Sequence, residues 1–412
     1  VKETVYRARC VLPISRPRID DGWVATNGNT VTAIGGPEEC PPHPPIDLGD
    51  VAILPALVNA HTHLEFSYFF QPIGKTGIKL HDWIGEVVRS RNASGASDAI
   101  DGAATIQNGL RLCQHAYTGL VGEIATTPYP WPSSLDDDAL DEGSLDEGSP
   151  DVVAFAEVLG LVASRSEAKL LAAAEHFKRF ENRARITPGI SPHAPYSTPL
   201  AVVQRCVEMA IQNRSILAMH VAESIEERQL IEYGDGPFSQ RLREIQLFSD
   251  DRFPWGREAT KNLLALLSRA PRALLIHGND LRDDELSFIA QERQMTVVYC
   301  PRTHAFFGHA KHRVAEMLNA GIRVALGTDS LASNPDLSIW GEVQWLLSHR
   351  DDLDWQSVIA MATLHGADAL GRKDWGRIEV GSKAKLLKIP FSHDRARDSF
   401  LDHQPSWIKD KK

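Results

Sequence analysis

Short apolar runs alternate with amphipathic stretches along most of the chain. The run 51–58 is continuously apolar, ends at Asn59 and is followed by His61-Thr62-His63. An unbroken run of that length, bounded by polar residues, predicts a strand buried on both faces. The same pattern recurs over 119–126, 151–161, 185–191, 215–224, 273–280, 295–301 and 323–330. Apolar residues at helical spacing predict helices between these runs, at 81–91, 98–115, 164–181, 199–212, from 225 onward, and at 262–269, 283–292 and 314–320. Eight buried strands separated by helices predict an α/β chain folded as a (β/α)8 TIM barrel.

The chain ends follow another pattern. Residues 1–50 read as short strands and turns, with Asn27-Gly28 as a hairpin signal and a proline-rich loop at 37–45. Such segments are too short to hold a core alone. A helix is expected at 355–370, and strand-like text returns at 376–390. The expected division is 1–52 as one part of a small β-sandwich, 53–372 as the barrel, and 373–412 as the part that completes the sandwich. Residues 133–150 form an acidic, Gly/Ser-rich stretch with a tandem LDEGS, expected to be a surface insertion.

Composition narrows the function classes. With 412 residues, 43% apolar and 24% charged, the chain has the make-up of a soluble globular protein large enough for a barrel and a satellite. Its net charge of −10 argues against a nucleic-acid partner, because a phosphate backbone calls for a basic face. No apolar run has the length of a membrane span and no signal pattern opens the chain, although its start at Val1 suggests a missing upstream piece. Five scattered cysteines without a CxxC pair point to a reducing, cytoplasmic compartment. Any metal site must then use histidines and carboxylates.

Those residue types gather at the predicted strand ends. Strand one carries His61 and His63, strand four His193, strand five His220 and Glu223, strand six His277, and strand eight Asp329. In a parallel barrel these ends share the face on which chemistry occurs. His61, His63, His220 and Asp329 offer three imidazoles and a carboxylate, leaving a position open for water or substrate, as a catalytic metal requires. Glu223 suits a general acid/base, His277 an orienting group, and Asp329 a second proton acceptor. One divalent ion is expected, Zn²⁺ ahead of Fe²⁺.

The segments PALVNAHTHLE, SPHAPYS, HVAES, IHGND and GTDSLASN, in this order, resemble the metal-dependent amidohydrolase superfamily. The nearer match is the cytosine/adenosine-deaminase-like branch, which includes S-adenosylhomocysteine, guanine and aminodeoxyfutalosine deaminases and triazine chlorohydrolases. The resemblance covers nearly the whole chain. It implies a mononuclear metal at His61, His63, His220 and Asp329, with Glu223 and His277 catalytic and His193 contacting substrate. The strand-four text lacks the lysine that bridges two metals in other relatives. Departures are Gly278 in IHGND, Lys385 and Lys388 near the end, and CPRTHAFFGH (300–309) where many relatives have CPxSN.

In that last segment Arg302, His304 and His309 are candidates for reading an anionic or polyhydroxylated substrate, the alternative being that they pack the loop. Asp82 and Trp83 occupy the place of a helix-borne acid and tryptophan over the pocket, with a core role for Trp83 as the alternative. Glu65 suits ligand orientation, Trp340 the core and Cys300 inert packing. The expected activity is hydrolytic deamination of an aminated heteroaromatic ring, a purine base or adenosine-type nucleoside, with release of ammonia. The alternatives are hydrolysis of another C–N or C–Cl bond, or a catalytically silent barrel that binds a partner. The expected partners are a small-molecule substrate and, from the family, further copies of the chain, with neither nucleic acid nor membrane.

Overall fold

A computed structural model describes residues 3–39, 41–93, 101–126, 129, 131 and 149–408, without the side chains of 91–93. The acidic insertion, apart from Ser149 and Pro150, lies outside the described residues, as do Cys40 and the expected helix start at 98–100.

Eight parallel strands form the barrel, in the order of the chain: Leu57–Thr62, Thr118–Thr126, Asp151–Val158, Ile186–Pro192, Ile216–Val221, Arg272–His277, Met295–Tyr299 and Val324–Leu326. The sheet closes through a parallel bridge between Thr62 and Asp329, and the Thr328 and Asp329 amides both donate to the His61 carbonyl. Alternate positions, among them Val58, Leu120, Phe155, Ala218, Leu274 and Val298, pack together as the barrel interior. Ala367, Leu370 and Trp375 join them from the C-terminal segment. The opposite positions, such as Ala156, Leu217, Leu275 and Val297, pack under the outer helices. Burial on both faces explains why the strands read as continuous apolar runs.

The run 51–58, expected as one strand, is two. Val51–Pro55 pairs antiparallel with Leu386–Pro390 and parallel with Cys10–Val11, while Leu57 opens the barrel. The sequence therefore passes directly from an end sheet into the barrel at Ala56. The other end sheet holds the hairpin Trp23–Asn27 and Thr30–Gly35, turned at Gly28, which adopts φ +60°. Tyr6, Val24, Ile53 and Leu386 form one apolar cluster between the two sheets. Residues 376–385, also expected as strand, contribute only an isolated bridge at Lys383. The 355–370 helix is broken at Thr363 into Trp355–Met361 and Leu364–Ala369. The segment after strand seven, expected as a loop, is a short helix, Pro301–Phe307. Proline at its first position suits a helix start, where its missing N–H costs nothing.

Candidate active site

Two backbone irregularities bring the histidines to one face. Along strand one Val58 and Ala60 point into the barrel core, so strict alternation would carry His61 and His63 outward. The pairing with strand two slips between Asn59 and Thr62, a bulge that re-aims the next side chains. Asn59 secures the slip: its Nδ2 donates to Thr328 Oγ1 (2.7 Å) and its Oδ1 accepts from the Thr328 amide (3.1 Å). On strand six Ile276 faces the core, and His277 reaches the site through a left-handed backbone, φ +72°. Asp329 is also left-handed, φ +59°. Strain of this kind persists only where surrounding bonds hold it.

Nitrogens of His61, His63 and His220 all lie within 4.8 Å of one another. Asp329 Oδ1 is 3.7 Å from Nε2 of both His61 and His63. His220 donates from Nδ1 to the His193 carbonyl (2.7 Å), which leaves its Nε2 as a lone pair facing inward. That nitrogen is 3.3 Å from His63 Nε2, so a proton or a cation must lie between them. Both ring nitrogens of His61 are buried without a hydrogen-bond partner among the described residues. Burial pushes the imidazoles of His63 and His220 well below the usual histidine range, favouring the neutral form that binds metals. Burial raises the Asp329 carboxyl, but the imidazoles of His61, His63 and His277 around it more than offset this and hold it below the ordinary range. The donor set fits one divalent ion. Asp329 Oδ2 accepts from Ser333 Oγ (2.8 Å), which fixes the carboxylate's orientation.

Beside this cluster, Glu223 Oε1 lies 3.4 Å from His277 Nε2. Burial, then the negative charges of Asp329 and Glu227, push the Glu223 carboxyl well above its usual range. His277 is held down to about 3, chiefly by burial. The pair thus sets a carboxyl shifted toward its protonated form against an imidazole shifted toward its neutral form. Asn279 Nδ2 donates to the Glu223 carbonyl (2.9 Å), and Glu227 Oε1 accepts from the Ala222 amide (2.7 Å), so the turn after strand five is fixed from two sides.

His193 stands next to His220, ring centroids 4.9 Å apart. Its Nδ1 is 2.5 Å from Ser197 Oγ and its Nε2 3.9 Å from Glu157 Oε1. Burial lowers its pKa to about 4. Glu157 and Glu65 both reach Thr126 Oγ1, at 2.9 and 3.0 Å. Glu123, fully buried, accepts from Thr62 Oγ1 (2.5 Å), the Leu64 amide (2.9 Å) and the Tyr129 hydroxyl. It thereby fixes the chain on either side of His63. Sequence reasoning missed Glu157 and Glu123. Glu157 could have been found by alternation, since it follows Val153 and Phe155 on the inward face of strand three. Glu123 carried no such signal.

The remaining candidates fare differently. Arg302, expected to read substrate, is occupied by the protein. Its Nε donates to Glu342 Oε1 (2.8 Å), Nη1 to Asp336 Oδ2 (3.0 Å) and Nη2 to Asp336 Oδ1 (2.5 Å) and the Ser338 carbonyl (3.0 Å). Glu342 is fully buried, so the guanidinium is spent on neutralising it, and Arg302 braces the helix after strand seven against Ile339–His349. His304 is buried against Tyr299, His309 and His312. Trp83 Nε1 donates to the Ala332 carbonyl (3.1 Å) and its ring meets Phe307 edge-on, tying Leu80–Ala93 to the loops after strands seven and eight. Asp82 is largely exposed and lies 3.6 Å from His81 Nε2. Trp340 and Cys300 are core residues.

Comparison with known proteins agrees with this architecture. A 5-methylthioadenosine/S-adenosylhomocysteine deaminase of Bacillus cereus (strain 03BB102) is 26% identical over 372 residues, covering 87% of this chain and 78% of that protein. Helicobacter pylori aminofutalosine deaminase, solved with methylthio-coformycin, superposes with a TM-score of 0.80 at 22% identity, covering 98% of this chain and 97% of that one. The zinc complex of atrazine chlorohydrolase from Arthrobacter aurescens TC1 gives a TM-score of 0.75 at 16% identity over 98% and 93% of the two chains. The profile of the Amidohydrolase family matches residues 52–410, a span that runs from the first residues before the barrel through every side chain of the cluster, and the chain belongs to that family.

Proposed function

We propose that the protein is a metal-dependent deaminase of adenosine-type nucleosides or purine bases, replacing a ring amine by oxygen and releasing ammonia. The observation that carries this reading is the Glu223 carboxyl, pushed by burial toward its protonated form, 3.4 Å from His277 Nε2 at the rim of the three-imidazole, one-carboxylate cluster. Hydrolysis of a ring amine needs a proton on a ring nitrogen as water adds, and another on the departing nitrogen. A carboxyl biased toward its protonated form gives the first and, once it has taken a proton from the attacking water, the second. The names of the curated relatives point to the same substrate class.

His61, His63, His220 and Asp329 would hold the ion, for which we propose Zn²⁺, with Fe²⁺ compatible with the same donors. When bound, such an ion acidifies water and polarises the carbon under attack. Glu223 protonates the ring nitrogen next to the reacting carbon. His277 Nε2, within reach of the same position, orients the incoming oxygen and shares charge as the carbon becomes tetrahedral. Asp329 accepts one proton of the water, Glu223 takes up the other and relays it to the leaving amine, and the proton on Asp329 restores the Glu223 carboxyl. The C–N bond breaks and the ring carbonyl forms. His193 and Trp83 would line the substrate space, and the exposed Asp82 stands at its edge. His304 belongs to the buried wall behind His277.

The fold shared with the chlorohydrolase supports a second reading, displacement of chloride from a triazine. Chloride leaves without needing a proton, so the Glu223–His277 pair favours an amine. Among the described residues no helix is long and apolar enough to cross a membrane. Buried free thiols at Cys10, Cys113, Cys206 and Cys300 support a cytoplasmic setting. Turnover of an adenosine-type nucleoside in ¹⁸O-water tests the reading: the product must gain one labelled oxygen and lose the amine nitrogen. Unlabelled product, or retained nitrogen, would refute it.

A further inference from the structure

His277 would face away from the site if strand six simply continued, and its left-handed φ turns it inward. The peptide that follows it is gripped at both ends. The Gly278 amide donates to the Val221 carbonyl (3.1 Å), and the His277 carbonyl accepts from His312 Nε2 (3.0 Å). A carbonyl only accepts, so His312 carries its proton on Nε2. Burial holds the ring down to about 4, so it is neutral near pH 7. Its Nδ1, now a bare lone pair, is buried with no partner among the described residues. The ring lies flat on Tyr299 at the end of strand seven, centroids 3.9 Å apart and planes 14° apart, and His304 meets it edge-on at 5.6 Å. The donor is therefore fixed in space by a barrel strand rather than by a mobile loop. Packing alone would be served by any flat ring, whereas the bond to a strained, buried carbonyl requires an N–H donor at this place.

We propose that His312 is a positioning residue, whose Nε2–H bond to the His277 carbonyl holds the left-handed turn that aims the His277 imidazole at Glu223. The proposal rests on the roles given to His277 and Glu223 above.

Two substitutions in the full-length, zinc-loaded protein separate the bond from the packing. His312→Phe keeps a ring on Tyr299 and removes the donor, whereas His312→Gln supplies an amide N–H. Misplacement by a fraction of an ångström is expected to lower kcat in His312→Phe by roughly tenfold to a hundredfold. KM and bound zinc should stay near wild type, and His312→Gln should recover most of the loss. Adding His312→Phe to His277→Ala should cost almost nothing further, because the residue acts through His277. Wild-type kcat in His312→Phe, no recovery in His312→Gln, or losses that multiply in the double variant would overturn the proposal. If the wild type releases no ammonia, the functional reading fails separately. ¹⁵N-histidine spectra then decide the point: His312 must carry its proton on Nε2, and the His277 ring signals must move in His312→Phe but return in His312→Gln. Unmoved His277 signals would refute it.

Discussion

Replacing Glu223 by Gln is the sharpest perturbation of the proposed chemistry. The side chain is buried, with Oε1 3.4 Å from His277 Nε2, and the surrounding turn is set by backbone contacts from Asn279 and Glu227. An amide of nearly the same shape fits that space and can still donate a hydrogen bond to His277. It cannot give up or take back a proton. The expected loss is that of positioned proton transfer, about 10²–10⁴-fold in kcat, or about 3–5 kcal/mol of transition-state stabilisation. Ground-state binding has no reason to change, since the amide keeps the volume and one donor, so KM and the metal-to-protein ratio should stay within about twofold of wild type. The assay is ammonia release under saturating substrate, with metal content measured on the same sample. A variant that keeps near-normal kcat would remove Glu223 as the proton carrier. One that loses metal together with activity would assign it to holding the site instead.

Other consequences follow from particular contacts. His61→Ala should lower bound metal sharply, because a buried ring nitrogen of His61 lies within 4.8 Å of those of His63 and His220; an unchanged metal-to-protein ratio would exclude it as a ligand. Arg302→Met leaves Glu342 buried without its cation and should cost about 3–5 kcal/mol of stability with KM little altered, whereas a raised KM with unchanged stability would restore Arg302 as a substrate contact. His176 donates from Nε2 to the Ala154 carbonyl (2.9 Å), and burial lowers its pKa from 6.5 to about 4. A depressed folded pKa means that its contribution is complete above the unfolded value and is lost as pH falls from about 6.5 toward about 4, on the order of 3 kcal/mol in all. Denaturant melts between pH 7.5 and 4.5 should show a shallower acid loss in His176→Gln than in the wild type, and parallel curves would refute the assignment.

Much of this arrangement was legible because it is written in local patterns. Each barrel strand is a continuous apolar run, and a buried parallel sheet can be built from little else. The candidate ligands stand at strand ends, where a charged or imidazole side chain interrupts the run. The places where sequence reading fell short are those decided by tertiary contacts. Nothing local says that the run 51–58 changes sheet at Ala56, because both halves are equally apolar and only their partners differ. Strict alternation would have put His61, His63 and His277 on the wrong face, and a bulge and a left-handed residue correct it. Arg302 looked free because its partners, Asp336 and Glu342, lie 34 and 40 residues away. His312 sits three residues past the quoted CPRTHAFFGH segment, and its link to His277 exists only once strands six and seven are side by side.

The central claim is that this cluster, loaded with a divalent ion, removes an amine from an adenosine-type ring. The most direct measurement is ammonia release by the purified protein from adenosine, 5-methylthioadenosine, S-adenosylhomocysteine, adenine, guanine and cytosine, before and after chelation and after zinc is restored. Release from an adenosine-type compound or purine base, abolished by the chelator and recovered with zinc, is the predicted result. A fully metallated protein that releases ammonia from none of them would contradict the account.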